Sequence, residues 1–354
     1  MTASRNRIIL STSLALAALV TAAAATAQKA SKPRPAPDTP TTLPPLKPAV
    51  IDDTVEISGE DVKARKEETR LTVQVNVNGQ GPYNFIVDSG ADTTAIGLRI
   101  ANQLQLPLGK PATLNAMTAR NIVDRVKVKQ LTLGSHKINN LELAALNEAD
   151  IGGDGMIGID ALVSQRLMMD FEKRVIRVED GRTRYIPQPG EIVVTAIRRK
   201  GQLILTRVTA VGLPLDAVVD TGTEISIGNI ALRDKLIKGN RDKFVTIPVT
   251  GVTGATIDVQ LARVSELRLG SVVLRDVPIA FADLPPFEVF GLSKAPALLL
   301  GTDLLETFRR VSLDFHGRKV RFQLKRCAST AIMLSTTTRG PSRISSDNPQ
   351  VCQR

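Results

Sequence analysis

The chain has 354 residues, 43% of them apolar and 23% charged, with a formal net charge of +11. That length suits about two domains at roughly 100–200 residues each, and the balance argues against wholesale disorder, collagen and multi-span membrane proteins. Aromatics are only 3%, with no Trp, so aliphatic side chains must fill the core, and a nucleic-acid binder that stacks bases on rings is disfavoured. The only His and Cys are His136, His316, Cys327 and Cys352. Most metal sites and nucleophile–His pairs therefore lack raw material, which leaves carboxylates as the agents of any chemistry. Solvated Lys and Arg account for the basic charge without a partner; attraction to an anionic envelope surface is the alternative.

At the N-terminus, Arg5 and Arg7 precede a mostly apolar run from Ile8 to Val20, and Ala25-Thr26-Ala27 has the small-x-small pattern of a cleavage site before Gln28. Residues 1–27 are read as a signal peptide, which implies export, with the periplasm as the destination and secretion or membrane anchoring as alternatives. The Ala/Ser/Thr content of Ile8 to Ala27 argues against a stable membrane span, and no later stretch could cross a bilayer. Residues 28–62 are Pro-rich and read as a semi-rigid linker. Leu71 to Val77 alternates apolar and polar residues and ends at Asn78-Gly79, a strong hairpin signal; Thr256 to Leu261 alternates likewise. Helical patterns are confined to Leu98–Leu106, Asp160–Leu167, Ile230–Ile237 and Asp303–Phe308. The fold expected is all-β, in two similar lobes over residues 63–186 and 187–326. Residues 327–354 form a Ser/Thr-rich tail in which Cys327 and Cys352 are a candidate disulfide in an oxidising compartment, free thiols being the alternative.

The middle of the chain repeats. Tyr83-Asn84-Phe85-Ile86-Val87 runs into Asp88-Ser89-Gly90-Ala91-Asp92, and Leu215-Asp216-Ala217-Val218-Val219 runs into Asp220-Thr221-Gly222-Thr223-Glu224. Each is an apolar strand delivering an Asp-(Ser/Thr)-Gly turn. Ile157-Gly158-Ile159-Asp160 answers Leu300-Gly301-Thr302-Asp303, and two strand-turn-strand segments begin Met169-Asp170-Phe171 and Leu313-Asp314-Phe315. The second of these comparisons makes Asp170 and Asp314 turn residues and puts His316 in a solvated hairpin turn.

Residues 69–179 and 191–323 resemble the retropepsin-like aspartic proteases. Asp88-Ser89-Gly90-Ala91-Asp92 matches their signature, and Ile157-Gly158 and Leu300-Gly301 match their hydrophobic-Gly element. The resemblance implies tandem lobes, a monomeric version of the retroviral dimer. It implies an endopeptidase that needs neither metal nor cofactor and takes a protein or peptide substrate in extended form. Asp88 and Asp220 are the expected catalytic pair, since two carboxyls held close share one proton and can act as base and acid together. The resemblance gives Ser89 and Thr221 the role of locking the turns, and Gly90 and Gly222 that of leaving room for water and substrate. Ala91, Asp92, Thr223 and Glu224 are the expected substrate-binding positions beside the pair. Where the family has an Arg after the later Gly, this chain has Ile159 and Thr302, so the ion pair made by Asp92 is missing or rebuilt. Glu224 in place of a second Asp makes the two halves of the cleft chemically unequal.

Gly251, Val252, Thr253 and Gly254 have the composition of a hairpin tip that closes over substrate; an ordinary turn is the alternative. The first-lobe counterpart, Ala116 to Arg120, has no Gly. Leu284 to Gly291 is an insertion that places two Phe in a loop, to line a subsite or to pack on the lobe. A pseudoprotease that binds extended peptides without cutting them is the main alternative function, and an envelope scaffold the weaker one.

Overall fold

The computed structural model describes residues 28–36, 60–67, 70–134, 136–162, 165–199, 201–236, 244–325, 332–334 and 342–344. The expected signal peptide, Cys327 and Cys352 lie outside the described residues. Strand Arg70–Val77 buries Leu71, Val73, Val75 and Val77, as its alternation predicts. At Asn78 and Gly79, φ values of 51° and 80° supply the left-handed backbone that a tight hairpin needs.

Six strands close each lobe into a barrel. In lobe 1, Arg70–Val77 pairs with Gln80–Val87, which runs parallel to Gly155–Ile157; that strand pairs with Ala95–Gly97, and Ala95–Gly97 runs parallel to His136–Leu146. Arg125–Leu133 joins His136–Leu146 back to Arg70–Val77. In lobe 2, Gln202–Ala210, Leu213–Val219, Ala297–Leu300, Ile227–Gly228, Val272–Phe281 and Thr256–Leu269 close in the same order. Closure leaves neither barrel with a free edge. The core is mainly Val, Leu and Ile, as the composition requires, and six of the nine Phe are also fully buried in it.

A six-stranded sheet joins the lobes, in the order Glu60–Glu67, Val175–Asp180, Gln165–Asp170, Phe308–Asp314, Lys319–Leu324, Glu191–Arg199. Its central pair sets Arg166 opposite Asp314 and Asp170 opposite Arg310. The ion pairs are reciprocal: Arg166 Nε lies 3.4 Å from Asp314 Oδ2 and Arg310 Nε 2.6 Å from Asp170 Oδ2. Asp170 and Asp314 also accept the N–H groups of Lys173 and Gly317 in their own hairpin turns. Each carboxylate thus serves its turn and the opposite lobe together, in the exchange that a two-fold interface imposes.

Helices form at Leu98–Gln103, Ile230–Leu236 and Thr302–Leu305, close to expectation. The helical reading of Asp160–Leu167 is corrected: only Ile159–Ala161 turns, as a 3₁₀ segment, and Gln165–Asp170 is a strand. Gln165–Asp170 is buried on both faces between two partner strands, and their pairing outweighs a weak local helical preference. Two short helices, Glu148–Ile151 and Pro285–Val289, were not legible from periodicity. Among the described residues, no helix is long and apolar enough to cross a membrane.

Within the Pro-rich stretch, Arg34–Pro35 adds a third strand to the hairpin of Ala112–Asn115 and Arg120–Val123. Ser31 Oγ donates to Asp124, which also pairs with Arg34.

Candidate active site

The two apolar strands, Gln80–Val87 and Leu213–Val219, end at the interface between the lobes. Asp88 N donates to Ile157 O at 2.9 Å and Asp220 N to Leu300 O at 3.0 Å, so the hydrophobic-Gly segments anchor both turns from behind. The turns then hold each other. Ser89 N donates to Thr221 Oγ1 (2.9 Å) and Thr221 N to Ser89 Oγ (3.1 Å). The hydroxyls donate onward across the interface, Ser89 to Val219 O at 2.9 Å and Thr221 to Val87 O at 2.7 Å. Four buried hydrogen bonds related by the pseudo-two-fold thus set the spacing of the two Asp.

The carboxyls face one another at 8% and 7% exposure. A Cβ on Gly90 would collide with the Asp220 carboxyl, and one on Gly222 with that of Asp88. Only glycine permits this approach. Asp88 Oδ1 accepts N–H groups from Gly90 (2.7 Å) and Ala91 (2.9 Å), and Asp220 Oδ1 accepts that of Gly222 at 3.0 Å. Burial pushes both carboxyls above the ordinary range. Backbone N–H groups oppose the rise at both, those of Gly90 and Ala91 at Asp88 and those of Gly222 and Thr223 at Asp220; the neighbouring Asp88 charge adds to the rise at Asp220, and the Arg70 charge opposes it at Asp88. Two carboxyls held this close share one proton, and their titration belongs to the pair.

Behind the turns lie two further carboxylates that sequence reasoning quoted only as repeat landmarks. Asp160 accepts from Thr94 N and Oγ1, and Asp303 from Ser226 N and Oγ. Those hydroxyls in turn accept the N–H groups of Gly158 and Gly301. Burial raises the pKa of both, that of Asp303 to about 6. Their recurrence two residues after each Gly was the available signal.

The Asp92 ion pair, expected to be missing or rebuilt, gives way to cross-lobe contacts that sequence reasoning missed. Arg70, at the head of the first lobe-1 strand, reaches Glu224 across the cleft at 3.0 Å and donates to Ile151 O. Its lobe-2 equivalent is Gln202, which donates to Gly90 O at 2.9 Å and to Asp92 Oδ1 at 3.3 Å. Glu224 and Asp92 are therefore both tied to the opposite lobe, one by an ion pair and the other by an amide.

Both expected hairpins close over the cleft. The strands Val245–Thr250 and Thr256–Leu269 carry Gly251 to Gly254 at their tip, with Gly254 at φ 79°. Val252 packs on lobe 1 against the cluster that includes Val123, Leu146 and Met156. Met117, at the tip of the lobe-1 hairpin, packs on the lobe-2 cluster around Ile225 and Phe287. The cleft beneath the hairpins holds a cavity of about 580 Å³ lined by Asp88, Asp220, Ala91, Asp92, Thr223 and Glu224 among others, with Gly251 and Val252 overhead; Thr253 and Gly254 are not part of the lining. In the insertion, Phe287 packs in the core and Phe290 lines the cavity. His316 is exposed in its hairpin turn, as expected. Among the described residues, no group of three or more His, Cys, Asp or Glu is placed to hold a metal ion.

Two closed barrels in tandem, facing each other across a cleft, define a two-lobed pepsin-like architecture. Residues 73–161 and 206–304 each match the aspartyl protease family, together just over half of the chain. The chain belongs to that family, in its retropepsin-like branch. No curated protein matches it.

Proposed function

We propose that the protein is an aspartic endopeptidase that hydrolyses peptide bonds with a water activated between Asp88 and Asp220. The observation that carries this reading is the pair of buried carboxyls, each set against the glycine of the other's turn with no room for a side chain between them. A pure binding cleft has no use for two such groups, since holding them together costs free energy. In the reaction, ionised Asp88 takes a proton from water as its oxygen attacks the carbonyl carbon, while protonated Asp220 donates to the carbonyl oxygen. Collapse of the tetrahedral intermediate returns a proton to the leaving amine and restores the pair. The crossing hairpins support an extended substrate held by its backbone and screened from water. Both lobes come from one chain, which supports a monomer. The pattern of residues 1–27 supports an exported protein working in the periplasm.

Incubation of the purified protein with a complex peptide mixture in H₂¹⁸O tests the reading. New internal termini should appear, each new carboxylate carrying one ¹⁸O. Peptide binding without any new terminus would instead identify a pseudoprotease.

The pH dependence follows from the same geometry. Both carboxyls titrate above 3.8, so kcat/KM should rise as Asp88 ionises, at a pH above the ordinary carboxylate range, and fall where Asp220 loses the shared proton. Arg70 favours the ionised form of Asp88. Arg70→Gln, which gives lobe 1 the lobe-2 residue, should therefore move the acid limb of the profile upward. An acid limb that stays in place or moves down would show that Arg70 does not act on the pair.

A further inference from the structure

The pseudo-two-fold allows the two sides of the cleft to be compared residue by residue. Ala95 pairs with Met156 and Ala144 in lobe 1, and Ile227 pairs with Leu299 and Ala280 at the same register in lobe 2. Ala95, Ala144, Leu146 and Met156 all line the cavity. None of their lobe-2 equivalents, Ile227, Ala280, Ala282 and Leu299, does so. Two differences account for this. Ile227 carries three more side-chain carbons than Ala95, and the segment leading into Ala297–Leu300 adds Leu284, Phe287, Phe290 and Leu292 to the lobe-2 cluster, where the shorter lobe-1 segment with its helix Glu148–Ile151 adds Ile151. The space that stays open above the lobe-1 strands is filled in lobe 2 by the protein itself.

On the reading of this cleft as a peptidase site, we propose that its lobe-1 side is a single deep pocket for a large apolar substrate side chain, Leu, Met or Phe. The equivalent lobe-2 position, closed by the insertion, accepts a small side chain. The substrate is then read unequally on the two sides of the scissile bond, and the peptide lies in one direction only. Ala95 and Ala144 set the depth of the pocket, Met156 forms part of its wall, and Val252 from the lobe-2 hairpin covers it. Phe290 limits the opposite side.

The test uses peptides of fixed sequence with Leu, Phe or Ala at each of the two positions flanking the cleaved bond, assayed for kcat/KM with wild type, Ala95→Ile and Phe290→Ala. Wild type should prefer the large side chain by at least about tenfold at one of the two positions only, within the range that apolar pockets achieve. Ala95→Ile should erase that preference while still cutting the Ala peptide. Phe290→Ala should admit large side chains at the other position. Equal profiles on both sides, or a folded Ala95→Ile with the wild-type profile, would overturn the proposal. Should Ala95→Ile not fold, an unchanged profile in Phe290→Ala overturns it alone. If wild type cuts none of the peptides, the peptidase reading fails separately, and calorimetric Kd values for the same peptides decide the pocket. Tighter binding of the large side chain, lost in Ala95→Ile, supports it; equal affinities, or no binding, sink it.

Discussion

Asp220→Asn is expected to lower kcat/KM for peptide hydrolysis by about 10³-fold or more, and Asp88→Asn by a similar factor, because residues that act as one device lose nearly all of its effect singly. Asn at position 220 keeps a donor directed at Asp88 but has no proton to give the carbonyl; Asn at position 88 cannot take one from water. The fold should survive either change. Asp220 has a raised pKa, so between 3.8 and its native value the unfolded chain releases a proton that the native protein keeps. Wild-type stability contributed by this group is thus full in acid and declines as pH rises through that window. Asp220→Asn removes the decline. The variant should therefore melt at or above the wild-type temperature at pH 7 and lose that advantage below about pH 4. Near-normal turnover in either Asn variant would end the two-carboxyl mechanism, and a variant unstable at pH 7 would show that Asp220 stabilises the lobes as an ion.

Thr221→Val is expected to destabilise the protein by about 2–4 kcal/mol and to cut kcat by about a hundredfold, from loss of hydrogen bonds alone, since Val matches the shape of Thr. The Thr221 hydroxyl accepts from Ser89 N and donates to Val87 O, both of them buried. Val leaves those two groups unpaired inside the protein, at roughly 1–3 kcal/mol each. The same groups border Asp88, so its carboxyl is released from its spacing to Asp220. Thr221→Ser restores the hydroxyl and should restore most of both properties. Melting and kinetics of the two variants separate the cases: a Thr221→Val protein as stable and active as wild type would mean that barrel closure, and not the hydroxyl exchange, sets the spacing.

The duplication, the two β lobes and both Asp-(Ser/Thr)-Gly turns are legible in the order of residues alone. These features are local: an apolar strand, a turn that needs Gly, and a second copy that makes chance improbable. Hairpin tips could be read for the same reason, since Gly251 and Gly254 advertise a turn. Which side chains meet across the pseudo-two-fold depends on how the closed barrels pack together. Asp170 and Asp314 read as turn residues and are so, yet their other oxygens bind Arg310 and Arg166 of the opposite lobe. Nothing along the chain marks Arg70 as the partner of Glu224, because the contact forms between residues far apart in sequence once both barrels close. Gln165–Asp170 is a strand although its own residues favour a helix, because its pairing partners supply the free energy that selects its conformation. The unequal depth of the cleft lies furthest from the sequence. It depends on packing volume, on where an eight-residue insertion folds back, and on an Ala in one lobe meeting space that an Ile and two Phe occupy in the other.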